Sequence, residues 1–287
     1  MTALLLDTSS LFFRAYHALP PMNTKSGEPT NALYGFSVLL LKLLRERRPS
    51  LVAFARDMPQ PTFRHVQYVE YKAGRAPMPD PLRPQWRRLD QLLRAFAVPV
   101  HGIVGFEADD VLATLSTRLH DDGKITIVSG DRDLFQLIGP EVEVLFLGAR
   151  GQKPEVVDIA VVQSKYGVTP AQMPSLMALV GESADNLVGV AGIGPKTASK
   201  LIGKYGSVGA VLADLANVPG KLQDSLRAAA DRVTMNEQLA RLRTDVVLAE
   251  PLAAPVTTEA LAAVRTVFEE LEFQSLVGRI DALISRP

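Results

Sequence analysis

The chain has 287 residues, 47% of them apolar and 22% charged, with 31 Lys and Arg against 31 Asp and Glu, a balance that fits one or two globular domains. The absence of cysteine excludes disulfides and thiolate chemistry, and no apolar run approaches the roughly 18 residues of a membrane span. The sequence therefore reads as a cytoplasmic protein with no signal peptide and no membrane contact. Zero net charge hides a local imbalance. Residues 60–96 carry seven Arg or Lys against three acids, residues 101–135 seven acids against three bases, and residues 189–206 three Lys and no acid. Basic flanks around an acidic centre suit a polyanion held beside a metal.

Ala3 to Leu6 reads as a strand ending in Asp7, followed by Thr8-Ser9-Ser10 and a helical pattern through Leu11, Phe12 and Ala15. This leaves Asp7 at the carboxyl end of a strand, the edge where ligands bind in open α/β sheets; helix capping is its other reading. Residues 20–31 form a loop by their Pro, Gly and Asn content, and Leu33, Phe36, Leu40, Leu43 and Leu44 then recur at helical spacing. Leu51 to Ala55 is a second strand, leading to Asp57. Between Thr62 and Pro84, Phe63, Tyr68 and Tyr71 alternate with Arg64, Lys72, Arg75 and Arg83, and four prolines fall between 77 and 84. Rings beside cations suit unpaired bases and their phosphates; a solvated surface loop is the alternative. A helix over 85–97 and a third strand-like run over 98–104 follow.

Five carboxylates, Glu107, Asp109, Asp110, Asp131 and Asp133, sit in Gly105-Phe-Glu-Ala-Asp-Asp110 and Ser129-Gly-Asp-Arg-Asp133. Glu107 and Asp110 are neighbours at i, i+3 on a helix whose apolar face is Val111, Leu112, Leu115 and Leu119. Asp131 and Asp133 follow the strand Lys124–Ser129. Two like charges about 4 Å apart repel by roughly 4 kcal/mol at an effective dielectric of 20, so a site gathering several wants a cation. Oxygen donors without Cys or nearby His select Mg²⁺ or Mn²⁺ over Zn²⁺. The helix dipole alone also favours acids in a first turn. His17, His65, His101 and His120 show no metal-ligand spacing.

A strand-like run over 142–147 is the last, and the remainder reads as helical, dividing the chain into 1–155 and 156–287. Helices are expected near 156–166, 174–181, 218–243 and 257–272. Within 181–202, Gly192-Ile193-Gly194 makes a tight hairpin, Pro195 suits a first helical position, and Lys196, Lys200 and Lys204 share one face. Free N–H groups at that helix start can take a phosphate, and the lysine row continues along a backbone. This has the form of a helix-hairpin-helix over 184–204.

Asp7-Thr-Ser-Ser, Pro29-Thr-Asn-Ala-Leu-Tyr-Gly-Phe36, Thr62-Phe-Arg64, Glu70-Tyr-Lys-Ala-Gly-Arg-Ala-Pro-Met-Pro-Asp80, the two acidic motifs, and Ser183-Ala-Asp-Asn186 through Gly192-Ile-Gly-Pro-Lys-Thr-Ala198 occur in one order. With them the chain resembles the bacterial 5′ nucleases, meaning flap endonucleases and the 5′-to-3′ exonuclease domain of DNA polymerase I, in a free-standing form. The resemblance implies an α/β fold: a mixed, largely parallel central sheet with helices on both faces, plus a helical region containing the helix-hairpin-helix. It implies metal-assisted hydrolysis of DNA at 5′ ends and 5′ flaps, extending to RNA–DNA hybrids, by a monomer at the nucleoid. By the same resemblance Asp7, Glu107, Asp109 and Asp110 serve one Mg²⁺ or Mn²⁺ ion, with Asp110 shared through water, and Asp131, Asp133 and Asp185 the other. Ala55 stands where the family has a strand-end Asp, so Asp57 is assigned; Glu182 stands where it has another Asp. Lys72 and Arg75 match basic residues that orient the scissile phosphate at the foot of an arch, here the segment 62–84, whose prolines oppose a helix. Arg64, Tyr71, Arg83, Gly192, Gly194, Lys196, Thr197 and Lys200 are the DNA contacts, and K⁺ would bind carbonyls of residues 189–195. Two other readings compete: a DNA-binding module with a degenerate metal site, and an acidic phosphohydrolase of small phosphate esters.

Overall fold

The computed structural model describes residues 1–148 and 152–285. The amino-terminal part alternates strands and helices: β1 (Thr2–Asp7), α1 (Thr8–Ala18), α2 (Asn31–Arg47), β2 (Leu51–Ala55), α3 (Phe63–Gln67), α4 (Leu82–Ala95), β3 (Val100–His101), α5 (Ala108–Leu119), β4 (Lys124–Ser129), β5 (Val142–Phe146) and β6 (Glu155–Val157). Helices then dominate: α6 (Ile159–Tyr166), α7 (Met173–Val180), the short ribbon β7 (Gly181–Glu182) and β8 (Leu187–Val188), α8 (Pro195–Tyr205), α9 (Val208–Ala213), α10 (Gly220–Ala240), α11 (Thr258–Glu270) and α12 (Gln274–Ile284).

The six-stranded sheet has the order β3-β2-β1-β4-β5-β6, parallel except for β6. Because side chains alternate across a strand, Ala3 and Leu5 of β1 join Ala53, Ala55, Ile125 and Ile127 in one core under α5. Leu4 and Leu6 join Val52, Phe54 and Val128 in a second core under α1, α2, α4, α11 and α12. Both faces are thus covered by helices, which is why the central strands read as nearly continuous apolar runs. Connections from β1 run to β2 on one side while β4 lies on the other, so the order reverses beside β1, and such a reversal opens a crevice at the carboxyl ends of the strands.

Three elements differ from the sequence expectation, and the arch-like segment follows it. The third strand shrinks to Val100–His101, bounded by Pro99 and Gly102. The run at 142–147 ends at Phe146, and strand pairing does not stop there, since β6 adds an antiparallel edge too short to show a pattern. Helix α12, with Leu276 and Ile280 buried, closes the second core. In the arch-like segment only α3 is helical before α4; prolines at 77, 79 and 81 withhold N–H donors and push preceding residues out of helical geometry.

Candidate metal centre and nucleic-acid interface

The acids are delivered by neighbouring strand ends. Asp7 ends β1 in register with Ala55 of β2, so Ala55 is a fully buried core residue, and Asp57, two residues beyond, is the acid that reaches the crevice. A web of hydroxyls and amides ties these ends together. Ser129 donates to Asp7 Oδ2 at 2.6 Å, while Asp7 Oδ1 accepts from the Ser10 N–H and so caps α1. Ser9 Oγ accepts from the Asp57 N–H, and Asp57 Oδ1 accepts from the Ala108 N–H at 2.9 Å, joining the end of β2 to the start of α5. Ser129 Oγ also accepts from the Asp131 N–H, and Asp131 Oδ1 from the Asp133 N–H. Asp7 thus caps α1 with one carboxylate oxygen while its side chain also faces the crevice.

Two adjoining clefts result. The first, about 450 Å³, is lined by Asp7, Asp57, Glu107, Asp109 and Asp131, with Lys72 and Arg75. The second, about 400 Å³, is lined by Asp131, Asp133, Glu182 and Asp185, with Arg14, Arg75 and Arg132. Asp131 and Arg75 belong to both. Burial raises the Asp7 carboxyl to about 7, helped by repulsion from Asp57 and Asp131. Burial likewise pushes Asp109 well up, reinforced by Asp131, Asp7, Asp133 and Asp57, and Asp133 by Asp131 and Asp185. Among the described residues no three His, Asp or Glu side chains are drawn together tightly enough to hold an ion as they stand. Their donor set, all oxygen, fits a hard divalent cation.

Asp110 stands apart. It is fully buried, and its two oxygens accept from Arg64 Nη1 and Nη2 at 2.6 and 2.9 Å as well as from the Glu107 and Arg243 N–H groups. With its lone pairs filled by these donors it lines neither cleft, unlike Asp109 beside it. Arg64, 1% exposed, also donates to the Leu239 carbonyl, so it braces α3, α5 and the end of α10 instead of meeting DNA. Tyr71 is likewise buried, 3% exposed, with its hydroxyl 3.1 Å from Glu107 Oε2 and 2.9 Å from Asp185 Oδ2. Lys72 Nζ lies 2.7 Å from Glu107 Oε1 and 3.8 Å from Asp185 Oδ1. Burial alone would raise Glu107, but Lys72 and Arg64 outweigh it and hold the carboxyl below its ordinary range.

The helical region presents the other expected features. The α7–α8 connection folds back through the β7–β8 ribbon; a Cβ on Gly189 would lie 2.3 Å from the Val180 carbonyl, and Gly192 has φ +81°, so both positions require glycine. Pro195 opens α8 after Gly194, and Lys196 and Lys200 are exposed on it, with Thr197 between them half-buried. Lys204 is turned to the Tyr205 hydroxyl at 2.9 Å. The carbonyls of Val188 and Gly189 are engaged by Arg232. Arg83 is exposed and paired with Asp80. Residues that the sequence did not suggest are Ser9, Ser10, Ser129, Arg14 and Arg132; the serines beside strand-end aspartates were their only signal.

The model for the 5′-3′ exonuclease N-terminal resolvase-like domain matches residues 2–167, and that for the 5′-3′ exonuclease C-terminal SAM fold matches residues 168–261. The 5′-3′ exonuclease of Aquifex aeolicus is 35% identical over 285 residues, covering 98% of this chain and 96% of that protein. DNA polymerase I of Mycobacterium tuberculosis is 40% identical over 287 residues, covering 97% of this chain, which spans only 31% of the polymerase's length. Among solved structures, T5 5′-exonuclease with bound zinc ions shares the fold at a TM-score of 0.69 and 23% identity, covering 96% of this chain and 98% of that one. The catalytic core of Rad2 in complex with DNA does so at 0.64 and 17%, covering 99% and 92%. Two family models that together span nearly the whole chain, and a relative of matching length, lead to one assignment: the chain belongs to the 5′-3′ exonuclease family.

Proposed function

We propose that this chain is a structure-specific 5′ nuclease that hydrolyses DNA phosphodiesters at 5′ ends and 5′ flaps, accepting RNA–DNA hybrids, with Mg²⁺ or Mn²⁺ as cofactor. The observation that supports this most is the pair of adjoining acidic clefts that share Asp131 and Arg75. Asp7, Asp57, Glu107 and Asp109 would hold one ion, and Asp131, Asp133, Glu182 and Asp185 the other. Bound there, such ions would lower the pKa of an attacking water and neutralise charge on the phosphoryl group and leaving oxygen.

The chain's own cations would do the positioning. Lys72 and Arg75, at the rim of the first cleft, would orient the scissile phosphate, and Lys72 can do so once Glu107 and Asp185 turn from its ammonium to a metal. The exposed Lys196 and Lys200, Thr197 and the backbone N–H groups of Gly192, Gly194 and Lys196 would hold the phosphates of the duplex without reading its sequence. Arg83 would meet the strand leaving the site. In the turn 189–195, K⁺ would have to share the Gly189 carbonyl with Arg232. A monomer suffices, because every acid comes from one chain.

The test is cleavage of a 5′-labelled flap with and without Mg²⁺ or Mn²⁺. Product is expected only with metal, and Asp109→Asn or Asp131→Asn should abolish it while duplex affinity stays. No product with either metal would leave the DNA-binding reading; faster turnover of small phosphate esters than of DNA would revive the phosphohydrolase.

A further inference from the structure

We propose that Asn186 is a positioning residue: it latches the turn bearing Lys72 and Arg75 onto the helical region and so fixes both cations over the acidic clefts. The inference rests on the nuclease reading above for its catalytic consequence, though not for the latch itself.

Between α3 and α4 the chain has no regular element of its own. Residues 68–75 are held by short-range turns, Tyr71 N–H to Tyr68 O, Ala73 N–H to Glu70 O and Arg75 N–H to Lys72 O, and prolines follow at 77, 79 and 81. Turns of this kind define a local shape without fixing its placement. Placement comes from residues 185 and 186, more than a hundred positions away. The Asn186 side-chain amide donates to the Glu70 carbonyl at 2.9 Å, the Asn186 carbonyl accepts from the Tyr68 hydroxyl at 3.4 Å, and the Asp185 carbonyl accepts from the Lys72 N–H at 3.2 Å. Tyr71, Leu187 and Leu239 pack together beneath this seam.

Two backbone features sharpen the argument. Asn186 ends the single turn carrying Asp185 with φ 58° and ψ 32°, and Lys72, facing it, has φ 56°. Asn tolerates the left-handed region better than most residues, whereas an unbranched lysine enters it only when its surroundings require it. The bonds from residues 185 and 186 to residues 70 and 72 are the surroundings that do so. Because Lys72 Nζ is 2.7 Å from Glu107 while its own N–H is bound to Asp185, any slip of the turn moves the ammonium relative to both acids. Misplacement by about 1 Å can cost on the order of a hundredfold in rate.

The experiment compares Asn186→Ala and Asn186→Gly with the parent chain, by steady-state cleavage of a 5′ flap, thermal unfolding, and hydrogen exchange of residues 68–76. Glycine accepts the left-handed backbone without strain while removing the amide, whereas alanine removes the amide and strains that backbone. Both variants should lower kcat at least roughly tenfold, leave KM within about twofold, and speed exchange in 68–76 while β1 and β4 stay protected. Wild-type kcat or unchanged exchange in Asn186→Gly would overturn the proposal, leaving the backbone conformation as the residue's whole role. Loss of kcat accompanied by exchange throughout β1 and β4 would also overturn it, as a folding defect. Should the parent chain cut no 5′-ended DNA, the nuclease reading fails by itself, and the exchange measurement alone decides the latch.

Discussion

Ser129 and Asp7 sit at the ends of adjacent parallel strands, and the Ser129 hydroxyl donates to Asp7 Oδ2 at 2.6 Å while accepting from the Asp131 N–H. One hydroxyl thus orients an acid of the first cleft and the backbone of the acid shared with the second. Removing a group that orients a ligating carboxylate typically weakens metal binding by about 10–100-fold. Ser129→Ala should therefore raise the Mn²⁺ concentration required for half-maximal binding by that factor, with little change in fold. Calorimetric titration with Mn²⁺ checks it; an unchanged affinity would mean the hydroxyl only fills space.

Asp7 carries a pH signature. Its carboxyl is raised from 3.8 to about 7 by burial and by Asp57 and Asp131, so between those values the folded chain holds a proton that the unfolded chain has released. Stability then falls as pH rises through that window, and the lost contribution is gone above about 7. At roughly 1.4 kcal/mol per pH unit the ceiling is on the order of 4 kcal/mol. In chelator, urea unfolding should show stability declining from pH 4.5 to 7.5, and Asp7→Asn, which keeps the helix cap, should flatten the slope and stabilise the chain at pH 7.5. Adding Mg²⁺ should restore the parent chain's stability at that pH. A slope that is equally steep in Asp7→Asn would place the titration elsewhere.

Local chemistry was readable wherever it is carried by neighbours in sequence. The run Ala3–Leu6 before Asp7 and the run Lys124–Ser129 before Asp131 announce two strand ends, and Gly192, Gly194 and Pro195 announce the turn into α8. What was hidden depends on partners far along the chain. Asp110 looks like a ligand because it lies beside Glu107 and Asp109, yet its partner Arg64 is 46 positions away. Its capping bond to the Glu107 N–H was the available sign, since an acid three residues after a helix N-cap is a recognised cap pattern. Tyr71 read as a surface ring beside Lys72 because nothing in its vicinity shows that Leu187 and Leu239 cover it.

Arg64 and Asp110 form a bidentate pair with side chains 2% and 0% exposed. Removing one partner of such a pair leaves a buried charge and costs about 3–5 kcal/mol. Arg64→Met should lower unfolding free energy by that amount, and Arg64→Met with Asp110→Leu should recover much of it. Urea denaturation of the two variants provides the comparison. If Arg64→Met unfolded like the parent chain and instead altered the salt dependence of DNA binding, the guanidinium would be a phosphate contact after all.

Lys196 and Lys200 make the complementary case, because both are exposed on α8 and their replacement should leave the fold intact. Each lysine that neutralises a phosphate of B-form DNA contributes about 0.9 to the slope of log affinity against log salt through counterion release. The double variant Lys196→Ala, Lys200→Ala should therefore flatten that slope by nearly 2 and weaken duplex binding most at low salt, equally for unrelated sequences. Lys204→Ala should do less, since the ammonium is already engaged by Tyr205. Fluorescence anisotropy with a labelled duplex across a salt series measures these two variants and Lys196→Ala alone. If Lys204→Ala matched the effect of Lys196→Ala, the DNA would run the full length of α8 and not grip its first turns alone.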